Sequence, residues 1–254
     1  MTIHFHGGPI WGGEGDELIK ALYRGGGALV SFHRPDQIKR IVQLDCELIL
    51  DNGAFSVWMK SNRKGEIVDW DKHWAKYYKW VESLYARIGW FIVPDVIGGT
   101  DEENDALLAK LPEHLLSKAV PVWHSEGSLE RLERLCERFE RVAIGCVGRH
   151  RSIRSPAWRE RMDEVFKHIY ITKKYPVKIH GLRALDVRAI SQYPFDSADS
   201  AYVSIIVPKT KLRSPEIPDK LHRAAIFRAA IEKVKPPTIE EWITKYEQNS
   251  TVNT

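Results

Sequence analysis

The sequence lacks the features that mark membrane proteins, secreted proteins and cysteine-rich metal proteins. No apolar run approaches the roughly 20 residues that a membrane-spanning helix needs. The first residues do not show a basic stretch followed by an apolar one, so we expect no signal peptide. The three cysteines, Cys46, Cys136 and Cys146, are far apart and form no CxxC pair, which argues against a disulfide framework and a cysteine zinc site. We therefore expect a cytoplasmic protein that does not associate with membranes.

The composition that is present is ordinary for a globular protein. The chain has 254 residues, enough for one large domain or two small ones and for a sizeable core. Of these residues, 43% are hydrophobic and 28% are charged. The net charge of +4 is mildly basic and compatible with a polyanionic partner. Nine tryptophans indicate either core packing or stacking on nucleobases.

Short apolar segments alternate with amphipathic ones along the chain. Predicted strands are Ile3–His6, Ala28–His33, Leu48–Leu50, Trp90–Pro94, Val120–Trp123, Val142–Val147, Val177–His180 and Ala201–Val207. Predicted helices are Asp16–Arg24, Pro35–Gln43, Trp70–Tyr85, Glu102–Leu116, Ser128–Phe139, Pro156–Tyr170, Ala184–Gln192 and Asp219–Lys233, with Ser155 as an N-cap. Eight such units predict a single (β/α)8 TIM-type barrel over residues 1–235, followed by a partly frayed helical tail over residues 236–254. An open doubly wound sheet is the alternative, although it needs fewer strands.

Polar residues stand at the carboxyl ends of the predicted strands. They are His6, His33, Asp51, Asp95, His124, Gly145 with Arg149, His180 and Asp199. In a barrel these ends meet on one face, which is where such folds carry their chemistry. Each residue alone has a plain structural explanation, because a strand-end aspartate often caps a helix and a buried histidine is often part of the core. Their common position is what indicates an active site.

Two of these residues, Asp51 and Asp199, could form a pair of carboxylates facing one bond. Glycosidic chemistry uses such a pair, one carboxylate at the sugar carbon and the other managing the proton of the leaving group. Asp196 competes with Asp199, but we expect it to precede the last strand. The alternative for Asp51-Asn52-Gly53 is an ordinary turn.

Several motifs resemble those of the tRNA-guanine transglycosylase superfamily, and in pattern they are closest to the DNA 7-deazaguanine transglycosylases of phages and bacteria. The motifs are LDNGAFS from Leu50, VAIGCVGR from Val142, KIHGL from Lys178 and DSADSAYVS from Asp196. The zinc cluster of the tRNA enzymes has no counterpart here, and the chain is shorter than theirs, so the resemblance favours DNA over tRNA. Asn52 and Ala54 replace the usual serine and second glycine of the first motif.

The resemblance implies a role for each matching residue. Asp199 would be the nucleophile at the anomeric carbon and Asp51 the general acid and base. Phe55 would stack on the base and Asp95 would hydrogen-bond its edge. The remaining substrate-binding candidates are Asn52, Gly53, His124, Gly145 and His180. Among them, Gly53 would allow close approach or a positive φ, and Gly145 would let backbone amides reach the base.

Two basic segments fall on loops that the barrel prediction places around the same face. One contains Arg149, Arg151 and Arg154, and the other contains Lys209, Lys211 and Arg213. Barrels often bind phosphate with such loops, and an enzyme that extrudes a base needs cations for the DNA backbone. The alternative is that these residues are solvated surface charges.

These observations predict an enzyme that cleaves the N-glycosidic bond of a flipped-out base in DNA without a metal or cofactor. Base exchange with a free 7-deazapurine is favoured; a DNA glycosylase that excises a modified base, as in defence against phage, is the alternative. A metal-dependent amidohydrolase is a further alternative, because His4 and His6 form an HxH pair and His124, His180 and Asp199 follow. A non-catalytic nucleic-acid-binding domain, with the acids as caps, is the last.

Overall fold

A computed structural model describes residues 3–8, 16–209, 216–217 and 219–252. Within these residues nine parallel strands form one sheet that is nearly closed into a barrel and flanked by helices. The strands are β1 His4–Gly7, β2 Gly27–Ser31, β3 Glu47–Asp51, β4 Trp90–Ile92, β5 Ala119–Val120, β6 Val122–His124, β7 Arg141–Gly145, β8 Lys178–Gly181 and β9 Ser197–Ser200. The α/β barrel fold predicted from the alternating pattern is thus confirmed, with nine strands instead of eight.

The extra strand arises from an interruption at Pro121. The sheet order is β5-β4-β3-β2-β1-β9-β8-β7-β6, so its two end strands are consecutive in the chain and flank this proline. Proline has no amide proton to donate to a neighbouring strand. The carbonyls still pair on both sides, since Val120 accepts from the Val93 amide and Pro121 accepts from the Ala143 amide. The segment at Pro121 therefore joins the two edges of the sheet.

Helices follow most of the strands, with two helices between β3 and β4, none between β5 and β6, and three described after β9. They are α1 Asp16–Tyr23, α2 Ile38–Ile41, α3 Ala54–Lys64, α4 Trp70–Leu84, α5 Asp101–Leu108, α6 Leu129–Arg138, α7 Pro156–Phe166, α8 Val187–Ile190, α9 Tyr202–Lys209, α10 Lys220–Glu232 and α11 Ile239–Val252. Side-chain caps begin several of them. Ser155 accepts from the Trp158 amide at the start of α7, as predicted, and Thr100 and Glu103 form a capping box on α5.

The core has two layers separated by the sheet. A small cluster fills the barrel interior with Phe5, Leu29, Ile49, Trp90, Ile92, Val120, Val122 and Ala143. The larger cluster lies between the outer face of the sheet and the helices. Because successive side chains of a strand point to opposite faces, this division tells which residues of each strand point into the barrel.

The predicted strand Ala201–Val207 is wrong. These residues form most of α9, and the strand before it is β9, which contains Asp199. The apolar, β-branched sequence favours a strand, but Val203 and Val207 are buried one helical turn apart while Ile205 between them is exposed. Asp196 precedes β9, as expected.

Helix α3 was not predicted because its sequence has almost no apolar periodicity. Ala54 and Ser61 are its only residues that the structure shows as buried. The helix begins after Gly53, which has a φ of +75°, so a glycine redirects the chain from β3 into α3.

The predicted C-terminal tail contains helix α11, which packs against the barrel layer. Its Trp242 is buried, with its ring centroid 5.9 Å from that of Phe166 at the end of α7. Across the described residues, none of the helices is both long enough and apolar enough to cross a membrane.

Candidate active site

Asp51 ends strand β3 and carries a carboxyl group with an unusual pKa. Its Oδ2 accepts a hydrogen bond from the Gly53 amide at 3.1 Å, and the Ser31 hydroxyl also bonds to the carboxyl group. Burial raises the pKa of Asp51 from 3.8 to about 6; the Ser31 and Gly53 hydrogen bonds oppose this rise, while repulsion from Asp199 and Asp95 adds to it. The three acids therefore lie close enough to affect one another, and Asp51 is poised to exchange a proton near neutral pH.

Asp199 on β9 is held through one of its two carboxylate oxygens. Its Oδ1 accepts from the Arg183 backbone amide at 3.0 Å and lies 3.3 Å from His180 Nε2. Its Oδ2 has no hydrogen-bond partner in the described part of the chain, and it is not one of the fully enclosed polar atoms. Asp199 thus presents an oriented carboxylate with one oxygen available for reaction.

His180 lies beneath Asp199 in the barrel interior and is completely buried. Its ring packs edge-on against Trp90, with centroids 4.7 Å apart. Its Nδ1 is 2.9 Å from the Ser197 hydroxyl, so both ring nitrogens face protein groups. The contact between His180 and a substrate base stays a prediction, and it would have to compete with these two protein partners.

Asn52, Asp95 and His124 form a buried polar network beside Asp51. The Asn52 side-chain amide donates to the Val93 carbonyl at 2.9 Å and to Asp95 Oδ1 at 2.8 Å. Asp95 Oδ2 lies 2.8 Å from His124 Nε2. Each oxygen of Asp95 therefore has a protein partner, and a hydrogen bond to a base edge would use a second lone pair.

Gly145 ends β7 against this network. A Cβ atom at this position would lie 3.0 Å from His124 Cδ2 and 3.2 Å from Val122 Cγ1. The glycine is therefore required locally by the His124 ring. The Gly145 carbonyl also accepts from the Ser125 amide at 2.9 Å.

Phe55 and Arg183 form a stack beside the two acids. Phe55 lies in the first turn of α3 and is partly buried. The Arg183 guanidinium carbon is 3.5 Å from the centre of its ring, a cation–π contact. Arg183 has a φ of +56°, which is uncommon for a residue other than glycine. The left-handed turn after β8 thus aims the Arg183 amide at Asp199 while its side chain covers Phe55.

Arg183 is a functional candidate that sequence reasoning missed. It follows the KIHGL motif directly, but a left-handed backbone at arginine has no sequence signal. Ser31 was missed as well, although it ends β2 beside the predicted strand-tip residue His33. Ser31 and His33 also line a small cleft next to Asp51, together with Ser56 of α3.

The HxH pair of the amidohydrolase alternative does not point into the barrel. Phe5 belongs to the interior cluster, so His4 and His6 on either side of it face outward. His4 Nε2 lies 2.8 Å from the Val234 carbonyl, and His6 Nε2 lies 3.2 Å from Glu232 of α10. The expected convergence of His6 with the other strand-tip residues is therefore wrong. Across the described residues, no three His, Cys, Asp or Glu side chains are grouped so as to hold a metal ion.

The predicted backbone-binding cations differ in how they are paired. Arg154 donates to Asp186 at 2.8 Å. Arg149, Arg151 and Lys209 are exposed and form no ion pair with a described residue. Lys211 and Arg213 lie outside the described residues. Three cations on the predicted rim are thus available for an anionic partner.

Comparison with known proteins does not assign the chain to a family. No protein-family model matches it, and no curated protein matches it with significant similarity.

Proposed function

We propose that the protein cleaves the N-glycosidic bond of a nucleotide extruded from DNA, with Asp199 as nucleophile and Asp51 as general acid and base. Base exchange is the favoured outcome, with a free 7-deazapurine as the incoming base.

The observation that carries this proposal is the difference between two neighbouring carboxyl groups. Asp51 has a pKa of about 6, raised chiefly by burial, so near neutral pH it can both donate and accept a proton. Asp199 is held at Oδ1 by two donors, and its Oδ2 has no partner among the described residues. In glycosidic enzymes, two nearby carboxyl groups typically have different surroundings, so that one serves as the proton donor and the other as the nucleophile.

The reaction takes two steps. Asp199 Oδ2 forms a bond to the sugar C1′ as the bond from C1′ to the base nitrogen breaks, and the electron pair leaves with the base. Protonated Asp51 supplies the proton that neutralises the departing base. In the second step a nitrogen of the incoming base attacks C1′, the ester to Asp199 breaks, and the Asp51 carboxylate takes up the proton that the incoming nitrogen loses.

The surroundings of the acids support a planar substrate joined to a polyanion. Phe55 already carries a planar guanidinium on its ring face, and a nucleobase that displaced Arg183 would find the same flat surface. Arg149, Arg151 and Lys209 offer charge to phosphates without breaking an ion pair among the described residues. An enzyme of this kind must extrude its base, which releases it from the stack into the barrel mouth.

Base release from DNA tests the proposal directly. Purified protein is incubated with unmodified DNA and with phage DNA that carries modified bases, each with and without an added 7-deazapurine. Free bases, abasic sites and incorporated bases are followed by mass spectrometry. We expect release coupled to incorporation, and a covalent DNA adduct on the peptide that contains Asp199.

Matched variants assign the roles. Asp199→Asn should abolish release and the adduct while DNA binding persists, and Asp51→Asn should slow release severely. Asp71→Asn is the control, because Asp71 on α4 forms an exposed ion pair with Lys110, and this variant should react as the natural protein does. Undiminished release by Asp199→Asn would refute the mechanism. Release that leaves abasic sites without an added base would identify a glycosylase with the same nucleophile.

A further inference from the structure

A continuous line of buried polar side chains runs through the barrel interior to Asp199. Arg141 Nη1 donates to the Ser197 hydroxyl oxygen at 3.2 Å, and this oxygen lies 2.9 Å from His180 Nδ1. His180 Nε2 then lies 3.3 Å from Asp199 Oδ1. All four residues are at most 6% exposed. The line therefore connects the proposed nucleophile to the opposite end of the barrel.

The line starts at an ion pair near the amino ends of the strands. Arg141 is the first residue of β7, and its Nη1 is 2.9 Å from Asp196 Oδ2, just before β9. Its guanidinium also lies 5.1 Å from the centre of the Trp90 ring. Around these groups the interior is apolar, and buried polar groups in such surroundings are costly unless each has a partner.

The donor and acceptor of each hydrogen bond follow from the chemistry of the groups. A guanidinium can only donate, so the Ser197 oxygen accepts from Arg141. The Ser197 oxygen can also accept from a protonated Nδ1, but in a neutral ring this would leave the hydroxyl proton without an acceptor among the described residues and an unprotonated Nε2 facing Asp199 Oδ1. The arrangement that satisfies all three groups has the Ser197 hydroxyl donating to an unprotonated Nδ1. The remaining ring proton sits on Nε2 and is donated to Asp199 Oδ1. Burial also lowers the pKa of His180, against the effect of Asp199, which favours this neutral ring.

We propose that His180 is a positioning residue whose tautomer is set by Arg141 through Ser197, so that a neutral Nε2–H holds Asp199 Oδ1 and leaves Oδ2 for attack. The significance for catalysis rests on the proposed function of Asp199, but the tautomer does not. His180 does not itself transfer a proton to substrate, because Ser197 and Asp199 occupy both of its nitrogens. The role of a fixed donor replaces the base contact that the sequence motif implied.

Nitrogen NMR of the histidine rings tests the tautomer without any substrate. The full-length protein is labelled with ¹⁵N in histidine, and the His180 signals are assigned by their loss in His180→Gln. We expect a neutral ring protonated at Nε2 at about pH 7, where a histidine with the unperturbed pKa of about 6.5 is still roughly one quarter charged. A ring protonated at Nδ1, or a doubly protonated ring, would overturn the proposal.

Variants at Ser197 test the connection to catalysis. Ser197→Ala removes the hydroxyl, so we expect a mixture of tautomers and a base-release rate lowered by roughly 10- to 100-fold at saturating DNA, with KM little changed. Ser197→Thr keeps a hydroxyl and should keep the Nε2–H tautomer and most of the rate. A Ser197→Ala protein that is less stable but has the natural tautomer and rate would show a purely structural role and contradict the proposal. If the natural protein released no base at all, the proposed function would fail while the NMR result would still decide the tautomer.

Discussion

Replacing Asp51 by asparagine should stabilise the protein at neutral pH while it impairs the proposed reaction. The folded state raises the pKa of Asp51 from 3.8 to about 6, so between these values the folded state binds more protons than the unfolded one. Stability contributed by this group is therefore full below pH 3.8 and is lost as the pH rises to about 6. At 1.36 kcal/mol per pH unit, the complete loss is about 3 kcal/mol.

Asparagine keeps the shape of the side chain but carries no charge, so it avoids this cost. We expect the free energy of unfolding of Asp51→Asn to exceed that of the natural protein by up to ~3 kcal/mol at about pH 8, and by about half as much at about pH 5. For a chain of this length that corresponds to a rise in Tm of roughly 6–12 °C at the higher pH. Urea unfolding and calorimetry at both pH values measure the difference.

Asp105→Asn is the control variant, for which we expect the change in stability at pH 8 to have the opposite sign. Ion pairs with Arg131 and Arg134 lower the pKa of Asp105 against the effect of its burial, so Asp105→Asn should be destabilised at pH 8 and less so at low pH. Equal stability changes for Asp51→Asn at both pH values, or a loss of stability at pH 8, would show that the fold does not raise the pKa of Asp51. Asp51 would then lack the raised pKa that the proposed proton donor needs.

Two further predictions concern DNA binding and the His124 network. Arg149→Ala, Arg151→Ala and Lys209→Ala should each weaken DNA binding and reduce the slope of log affinity against log salt by about 1. Arg154→Ala should have a smaller effect, because Arg154 is paired with Asp186. If all four variants bound DNA as tightly as the natural protein, these residues would not belong to the interface. Gly145→Ala should cost roughly 1–3 kcal/mol in urea unfolding, since its Cβ would meet His124 at 3.0 Å, while Gly89→Ala, whose Cβ would have 3.6 Å of clearance, serves as the comparison and should be nearly neutral.

The fold could be predicted from the sequence because alternation between short apolar runs and amphipathic segments is a local signal that the whole chain repeats. The prediction failed where local preference and packing disagree. The segment after β9 is rich in β-branched residues, yet it forms α9 because Val203 and Val207 on one helical face are buried. Helix α3 was missed for a different reason: few of its residues are buried, so its apolar periodicity is too weak to predict a helix.

The site could be predicted only as a set of strand ends. In a barrel both faces of a strand are buried, so the sequence does not tell which face points inward. His4 and His6 flank Phe5, and only the packing shows that the phenylalanine takes the interior. The role of Arg183 could not be predicted for another reason, because it depends on a left-handed backbone conformation that arginine rarely adopts.

The position of β1 between β2 and β9 has a consequence for synthesis on the ribosome. The chain emerges from its N-terminus, so β1 to β5 can pair with one another while β9 is still unmade. Until residues 197–200 appear, one side of β1 is an open strand edge, which is a template for pairing with other chains. We therefore expect the nascent half-barrel to expose this edge of β1 until β9 pairs with it.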